Sequence, residues 1–569
     1  MRTTVLFILL LCIIVGIGCE KKQQDTTDVI GEFAPEDAYL DGSKHPYYGS
    51  ENAWDRRFFY IHIKDYYKRR GQRQMLDLVE GRPLETADYC LELLQKDPDD
   101  LESLFNLTVA YAHLNKPAEA MATLKHSVEK GLPFERFIAG PRDILKPLYE
   151  IPEFKVMLEK HGGQLVHGPL LGRLSSDGAS FWVRTKSEVP IEVVVSTDIS
   201  MSDYIKSDQD SSHAALDYTA IVKVMGLKPV TRYYYDVILD GNSSLAPDFP
   251  SFTTYPAPEV PANIRIAFGG GAGFVPQNER IWDVIRNHNP TACLLLGDNV
   301  YINMPEKPNG VIYYTYYRRQ SRPEFRRLTA STPIYAIWDD HDAATDDVWL
   351  GPYRDKPVWK PMLLEVFKQN WNNPGYGTRE WPGCWYNFSI DDVDFFMLDG
   401  RYYRTNPFEE NPTMLGPVQK AWLKQQLLAS RGAVKVIVSP VPWALASKGE
   451  ARDTWNGFKA ERKEIFDFLA DNRIDGVILL SADRHRSDAW RIDRDNGYPL
   501  YEFESSRLTN QHFHELMPNA LFGYNEKQSF GFLTINTSLD DPEITYQIIS
   551  IDDEIKHTFT LRRSQISHE

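Results

Sequence analysis

From Asn263 onward, short apolar segments alternate with helical stretches. The segments are "IRIAFG", "ACLLLGD", "PIYAIWDD", "DVDFFMLDGR", "VKVIVSP", "DGVILLSADRH" and "YEFESS", with runs such as "GPVQKAWLKQQLLAS" and "ERKEIFDFLADN" between them. This alternation restricts the region to a layered α/β fold, and ligands of such folds bind beyond the carboxyl ends of the strands. The chain places charged residues there repeatedly: Asp298 with Tyr301 close behind, Asp340 with His341, Asp399 with Arg401, and Asp483 with His485.

The run "PIYAIWDDHDAATDD", residues 333–347, states the electrostatic problem. Asp339, Asp340, Asp342, Asp346 and Asp347 surround His341 at the mouth of a core strand, and carboxylates so crowded repel one another unless something positive sits among them. Hard oxygen ligands with imidazoles at one sheet edge fit metal ions better than a charge relay. Divalent or trivalent ions would supply the missing charge.

With 569 residues the chain exceeds one hydrophobic core. Its net charge of −16 argues against nucleic acid as a charge-driven partner. The first residues carry "VLFILLLCIIVGI", an apolar run that fits a secretory signal better than a membrane span. It ends in "GIGC" at Cys19, followed by polar "EKKQQDTTD", and resembles a bacterial lipoprotein signal in which the cysteine is acylated. The expected location is the cell envelope, lipid-anchored at the outer membrane, in the periplasm or at the cell surface, with an ordinary cleaved signal as the other reading. The remaining cysteines, Cys90, Cys293 and Cys384, form no CxxC pair and no disulfide framework.

Five segments follow: a signal peptide at 1–18, a tether at 19–51, a helical domain at 52–163, a β-sandwich at 164–260 and the α/β domain at 261–569. In the helical domain, "LFNLTVAYAHLNKPAEAMATLKHSVEKGLP" places Leu104, Leu107, Tyr111, Ala120 and Leu124 where a tetratricopeptide (TPR) repeat has its packing residues. A plain helical hairpin would show the same spacing. At about 164 the period changes to two, and "GLKPVTRYYYDV" reads as a fibronectin-like sandwich with Leu227 and Tyr233 to Tyr235 in its core.

Taken together, "GDNVY", "WDDHD", "MLDGRYYR", "LSADRH", "FESSRLT" and "SFGFLTIN" resemble the alkaline phosphatase D (PhoD-like) family of calcineurin-like metallophosphoesterases, over roughly residues 165–560. The resemblance implies a secreted phosphomonoesterase or phosphodiesterase using iron and calcium. It makes Asp298 the bridging carboxylate, Tyr301 a phenolate ligand to iron, and Asp340, Asp483 and His485 further metal ligands. Asp346 becomes an added calcium ligand and His341 the catalytic histidine at the leaving-group oxygen. Arg401 is expected either to clamp phosphate or to pair with Asp399, and Asp339 and Asp342 either to support the ligands or to cap a helix. Gly271 stands where the family usually has an iron-ligating cysteine, so zinc or manganese could replace iron. Cys293, about 16 Å from its strand end at roughly 3.3 Å per residue, cannot substitute. The "GGGAG" run either offers backbone N–H groups to phosphate or forms a tight turn.

The expected partners are a phosphate-ester substrate, a membrane and a protein at the TPR-like region, which on this reading adds nothing to the chemistry. The alternative is a degenerate, non-catalytic scaffold. The tyrosine-rich "GVIYYTYYRRQSRPEF" reads as a helix packed on the core or as a lid over substrate.

Overall fold

The computed structural model describes residues 70–568, apart from 162, 259, 304 and 306–308. The signal, the tether, Cys19 and the start of the helical domain lie outside the described residues. Among the described residues, no helix is long and apolar enough to cross a membrane.

Two mixed sheets form the α/β domain. The first runs in the order Ile334–Ile337, Ala292–Leu296, Asn263–Gly269, Ser529–Asn536, Glu543–Ser550, Ile555–Arg562. The second runs Tyr386–Ile390, Val393–Met397, Val434–Val438, Val477–Ser481, Leu500–Ser505, Ser487–Ile492, Phe522–Tyr524. Within each sheet the strands carrying the Asp motifs are mutually parallel, so their carboxyl ends share an edge. These strands are buried along nearly their whole length, as parallel strands covered on both faces must be. Leu423 and Leu427 of helix Gly416–Ala429, and Ile465 and Leu469 of helix Lys459–Asp471, share one core with them.

The sheets meet at the site edge. Gly270 and Ser506 form an isolated parallel bridge. A Cβ on Gly270 would lie 2.7 Å from the Cβ of Ala482, so only glycine lets the strand ends approach this closely.

Residues 165–253 form two small antiparallel sheets whose inner faces bury Phe181, Tyr233, Tyr235 and Leu227. Tyr234 points to the other face, as alternation requires, and is only half-buried. Polar contacts tie this unit to the α/β domain: Asn372 Nδ2 donates to Leu170 O (3.1 Å) and Ser180 O (2.9 Å), and Arg184 Nη2 to Asn370 Oδ1 (3.0 Å).

Before it, helices Gln72–Val79, Pro83–Lys96, Leu101–His113 and Pro117–Glu129 pack pairwise in sequence. "DPDD" ends one helix, and Asp100 caps the next through Glu102 N. Their apolar core includes Val311 and Tyr314 of the tyrosine-rich helix Asn309–Gln320, which therefore packs as a core helix. Arg136 pairs with Glu102 at 2.8 and 3.0 Å, both buried, and Tyr314 Oη donates to the same carboxylate.

Candidate metal centre

Asp298 follows the Ala292–Leu296 strand, and Asp340 and His341 follow Ile334–Ile337. One ligand atom from each of these three lies within 4.8 Å of the others, and all three residues are buried. Asp298 Oδ2 accepts a hydrogen bond from Tyr301 Oη at 2.7 Å, while Asp298 Oδ1 is buried without a hydrogen-bond partner. A buried carboxylate oxygen left in that condition is expensive unless a cation reaches it. Burial, reinforced by Asp340, Asp339 and Asp342, pushes the Asp298 carboxyl well above the usual range. Burial acts on Asp340 too, but the Arg401 guanidinium and His341 outweigh it and hold that carboxyl below its ordinary value.

From the second sheet, His485 places Nε2 4.0 Å from Asp298 Oδ2. Asp483 sits in the same loop, 3.3 Å from Arg484 Nη1. The backbone there is unusual. Asp298, Asn303, Asp483 and His485 all have positive φ, at 54, 54, 72 and 48°. Residues so held occur where surrounding structure over-determines them, and they gather at functional sites.

Asp346 is exposed and lies 2.8 Å from His341 Nε2. Asp342 is a cap, accepting from Asn299 N (3.1 Å) and Val300 N (3.2 Å) and so folding the loop that carries Asp298. Asp339 accepts from Arg401 Nε at 2.5 Å.

Arg401 requires a correction. Its side chain is wholly buried, with Nη1 donating to Asp453 Oδ1 (2.8 Å) and Val348 O (3.1 Å). Its donors are spent on the protein, so it holds the acidic loop together and does not reach a phosphate. Nor does it pair with the Asp399 side chain as expected, because that carboxylate accepts backbone N–H groups of Cys384, Arg401 and Tyr402.

The "GGGAG" run is a turn. Gly270 N donates to Ser505 O, Gly271 N to Gly297 O and Ala272 N to Asp298 O, so these N–H groups face inward. Gly271 has φ +68°, and a Cβ there would lie 3.0 Å from His485 Nδ1.

Sequence reasoning missed Asn510, whose Nδ2 donates to Tyr301 Oη at 2.8 Å and lies 3.5 Å from His485 Nδ1. It also missed Asn303, whose Oδ1 is 3.1 Å from His341 Nδ1. The signal for Asn510 is its place beyond the Leu500–Ser505 strand, in the histidine-rich "TNQHFH". Asp453, the other anchor of Arg401, carries no local signal.

Two stacked mixed sheets with carboxylates and imidazoles gathered at one edge define a metallophosphatase-like α/β domain. Residues 375–538 match the family described as PhoD-like phosphatase, and residues 162–256 match a domain of unknown function (DUF7800). Alkaline phosphatase D of Bacillus subtilis is 22% identical over 387 residues, covering 60% of this chain and 65% of that protein. Purple acid phosphatase 23 of Arabidopsis thaliana is 26% identical over 293 residues, covering 47% and 57%. The chain thus spans less than two thirds of the length of either relative. Among solved structures, PhoD superposes with a TM-score of 0.59 at 16% identity over 70% of this chain and 90% of that one. A purple acid phosphatase from yellow lupin seeds gives 0.53 at 12% identity over 70% and 75%. These two likenesses concern the fold. Residues 375–538 thus carry the match to a PhoD-like phosphatase domain, and the wider α/β region is similar in sequence to alkaline phosphatase D.

Proposed function

We propose that the protein hydrolyses phosphate esters, mono- or diesters, with metal ions held by Asp298, Asp340 and His485, and with Tyr301 and Asp483 completing the set. One observation carries this reading: a carboxylate oxygen of Asp298 lies within 4.8 Å of ligand atoms of Asp340 and His341, and Asp298 Oδ1 is buried without a hydrogen-bond partner. Metal ions held by these residues would neutralise phosphate and lower the pKa of a bound water.

The chain's own residues do the rest. Asp298 takes the Tyr301 hydroxyl on Oδ2, the oxygen 4.0 Å from His485 Nε2, and has no hydrogen-bond partner on Oδ1. His341 holds Nδ1 against Asn303 and turns Nε2 toward Asp346 and the open side, where it can give a proton to the leaving oxygen. Asp346, on that open side, serves either as a calcium ligand or as the partner that orients His341. Arg401 fixes Asp339 beside Asp340 and keeps the acidic loop closed.

Gly271 favours oxygen and nitrogen ligands, so calcium, manganese or zinc suits the site better than iron. Metal analysis of the purified protein, with turnover of aryl and alkyl phosphomonoesters and a phosphodiester under each metal, tests the reading. A wild type inert towards all of them with every metal overturns it in favour of a binding scaffold.

For the location, the reading rests on "GIGC" and the polar tether: Cys19 is acylated and anchors the protein in the cell envelope. Cys19→Ser is expected to move the protein from the membrane fraction to the soluble one or to block its processing. Unchanged fractionation removes the anchor.

A further inference from the structure

Among the described residues, Gln72 carries the helical domain to the site. Gln72, the first residue of helix Gln72–Val79, has no exposed surface. Its Nε2 donates to Tyr301 O, and its Oε1 accepts from Asn303 Nδ2 at 3.2 Å. Asn303 Nδ2 also donates to Tyr301 O at 3.1 Å. Both amide hydrogens of Asn303 are therefore spent on the side facing Gln72, which leaves Oδ1 to face His341 Nδ1 at 3.1 Å. An amide oxygen only accepts, so His341 must carry hydrogen on Nδ1; the proton it gives to a leaving oxygen is then the one on Nε2 of the doubly protonated ring, which returns to the Nδ1–H form.

The segment that delivers Gln72 is held firmly. Arg318 Nη1 donates to Arg70 O at 2.7 Å. Gly71 has φ +83°, and a Cβ there would lie 1.9 Å from Tyr314 Oη. Only glycine passes that point, and it sets the following glutamine against the Tyr301–Asn303 loop. A surface glutamine would be free to rotate, whereas this one has both ends of its amide committed.

We infer that Gln72 is a positioning residue for His341, so that the helical domain is a structural part of the reaction site. The inference rests on the phosphoester reading for its kinetic consequence, not for its geometry. A histidine whose orientation and tautomer are fixed matters most when the leaving oxygen needs a proton. An alkoxide leaving group needs one, while a nitrophenolate scarcely does.

The test compares wild type with Gln72→Ala and with the near-isosteric Gln72→Met, which keeps packing but not the hydrogen bonds. Leu124→Ala serves as a control that loosens the helical core away from the site. Two readouts are taken on the full chain. The first is kcat and KM for an alkyl phosphate and for p-nitrophenyl phosphate. The second is the imidazole 15N spectrum of His341, which distinguishes the tautomers.

Both Gln72 variants are expected to lose about tenfold or more in kcat on the alkyl ester and about threefold or less on the aryl ester, with KM little changed. Their His341 signal is expected to shift from the Nδ1–H form to a mixture. Leu124→Ala is expected to lower the melting temperature without moving the alkyl-to-aryl ratio or the tautomer. An unchanged ratio and spectrum in both Gln72 variants overturns the inference. So does a Leu124→Ala protein that shifts them equally, because the helices would then act through general stability. A wild type inert on both esters defeats the phosphoester reading alone, since the spectrum still decides the role of Gln72.

Discussion

The two sheets bring opposite charge habits to the edge they share. Strands of the first end in Asp298 and in the Asp339–Asp342 run, nearly all carboxylate and buried. The loops beyond the second bring Arg401, Lys448 and Arg484 beside the buried Asp399 and Asp453, with Asp483 and His485 as the candidate ligands. Arg401 crosses to Asp339, and Lys448 crosses to Asp347 at 2.9 Å. Protein cations therefore neutralise the outer carboxylates of the first sheet and stop short of Asp298. The proposed ion would sit at that centre, and this gap is what separates a candidate metal site from a buried salt-bridge network.

The strongest way to break this division is to remove the crossing cation. Arg401→Met strands Asp339, while Asp453 keeps Arg404 at 2.9 Å and Lys448 at 3.4 Å, and losing one partner of a buried pair is expected to cost about 3–5 kcal/mol of stability. Urea unfolding checks this, and a loss below about 1 kcal/mol would mean that the two halves do not depend on each other.

Next in size is Asp298→Asn. It is expected to lower kcat by about two to three orders of magnitude, a barrier increase of roughly 3–4 kcal/mol, with His341→Ala close behind. The same Asp298→Asn change should stabilise the metal-free protein. The folded carboxyl pKa of Asp298 is raised, so the ionised group is a liability once pH exceeds its unfolded value of about 3.9. That liability grows as pH rises towards the folded value. Wild type in chelator should therefore lose stability with rising pH, the variant should lose less, and added metal should raise the melting temperature of wild type more than that of the variant.

The smallest effect concerns the lean half of the site. Gly271→Cys is expected to cost about 1–3 kcal/mol, because a non-glycine residue at φ +68° is strained and its Cβ would crowd Arg507 N at 2.9 Å. Gly271→Ala should cost the same. A Gly271→Cys protein that is as stable as wild type and gains stoichiometric iron would show that the thiolate was the missing piece.

Much of this was legible in the sequence. The strand-end motifs "LLLGD", "WDDHD" and "SADRH" located Asp298, Asp340, His341 and His485, because parallel strands bring their carboxyl ends to one edge whatever lies between them. The alternation in "TRYYYDV" put Tyr233 and Tyr235 inside. Partners that depend on long-range approach were not legible. Arg401 meets Asp453 only through the folding of two separate loops, and nothing near residue 453 signals it. "GGGAG" looked equally suited to phosphate or to a turn, and the choice was made by carbonyls of Gly297 and Ser505 on neighbouring strands. Gln72 lies in a segment whose pattern speaks only of helix packing.

The contact between Asn106 and Tyr314 spans 208 residues of chain. A ribosome adding about 5–20 residues per second needs roughly 10–40 s to cover that distance. Until that stretch is made, the helices lack the tyrosine helix that completes their core, and the buried Glu102–Arg136 pair lacks its third member. The same geometry governs how the protein can be trimmed: a fragment beginning after residue 161 would uncover Val311, Tyr314 and Arg318, so the sandwich and α/β regions without the helices are poorly suited to life on their own.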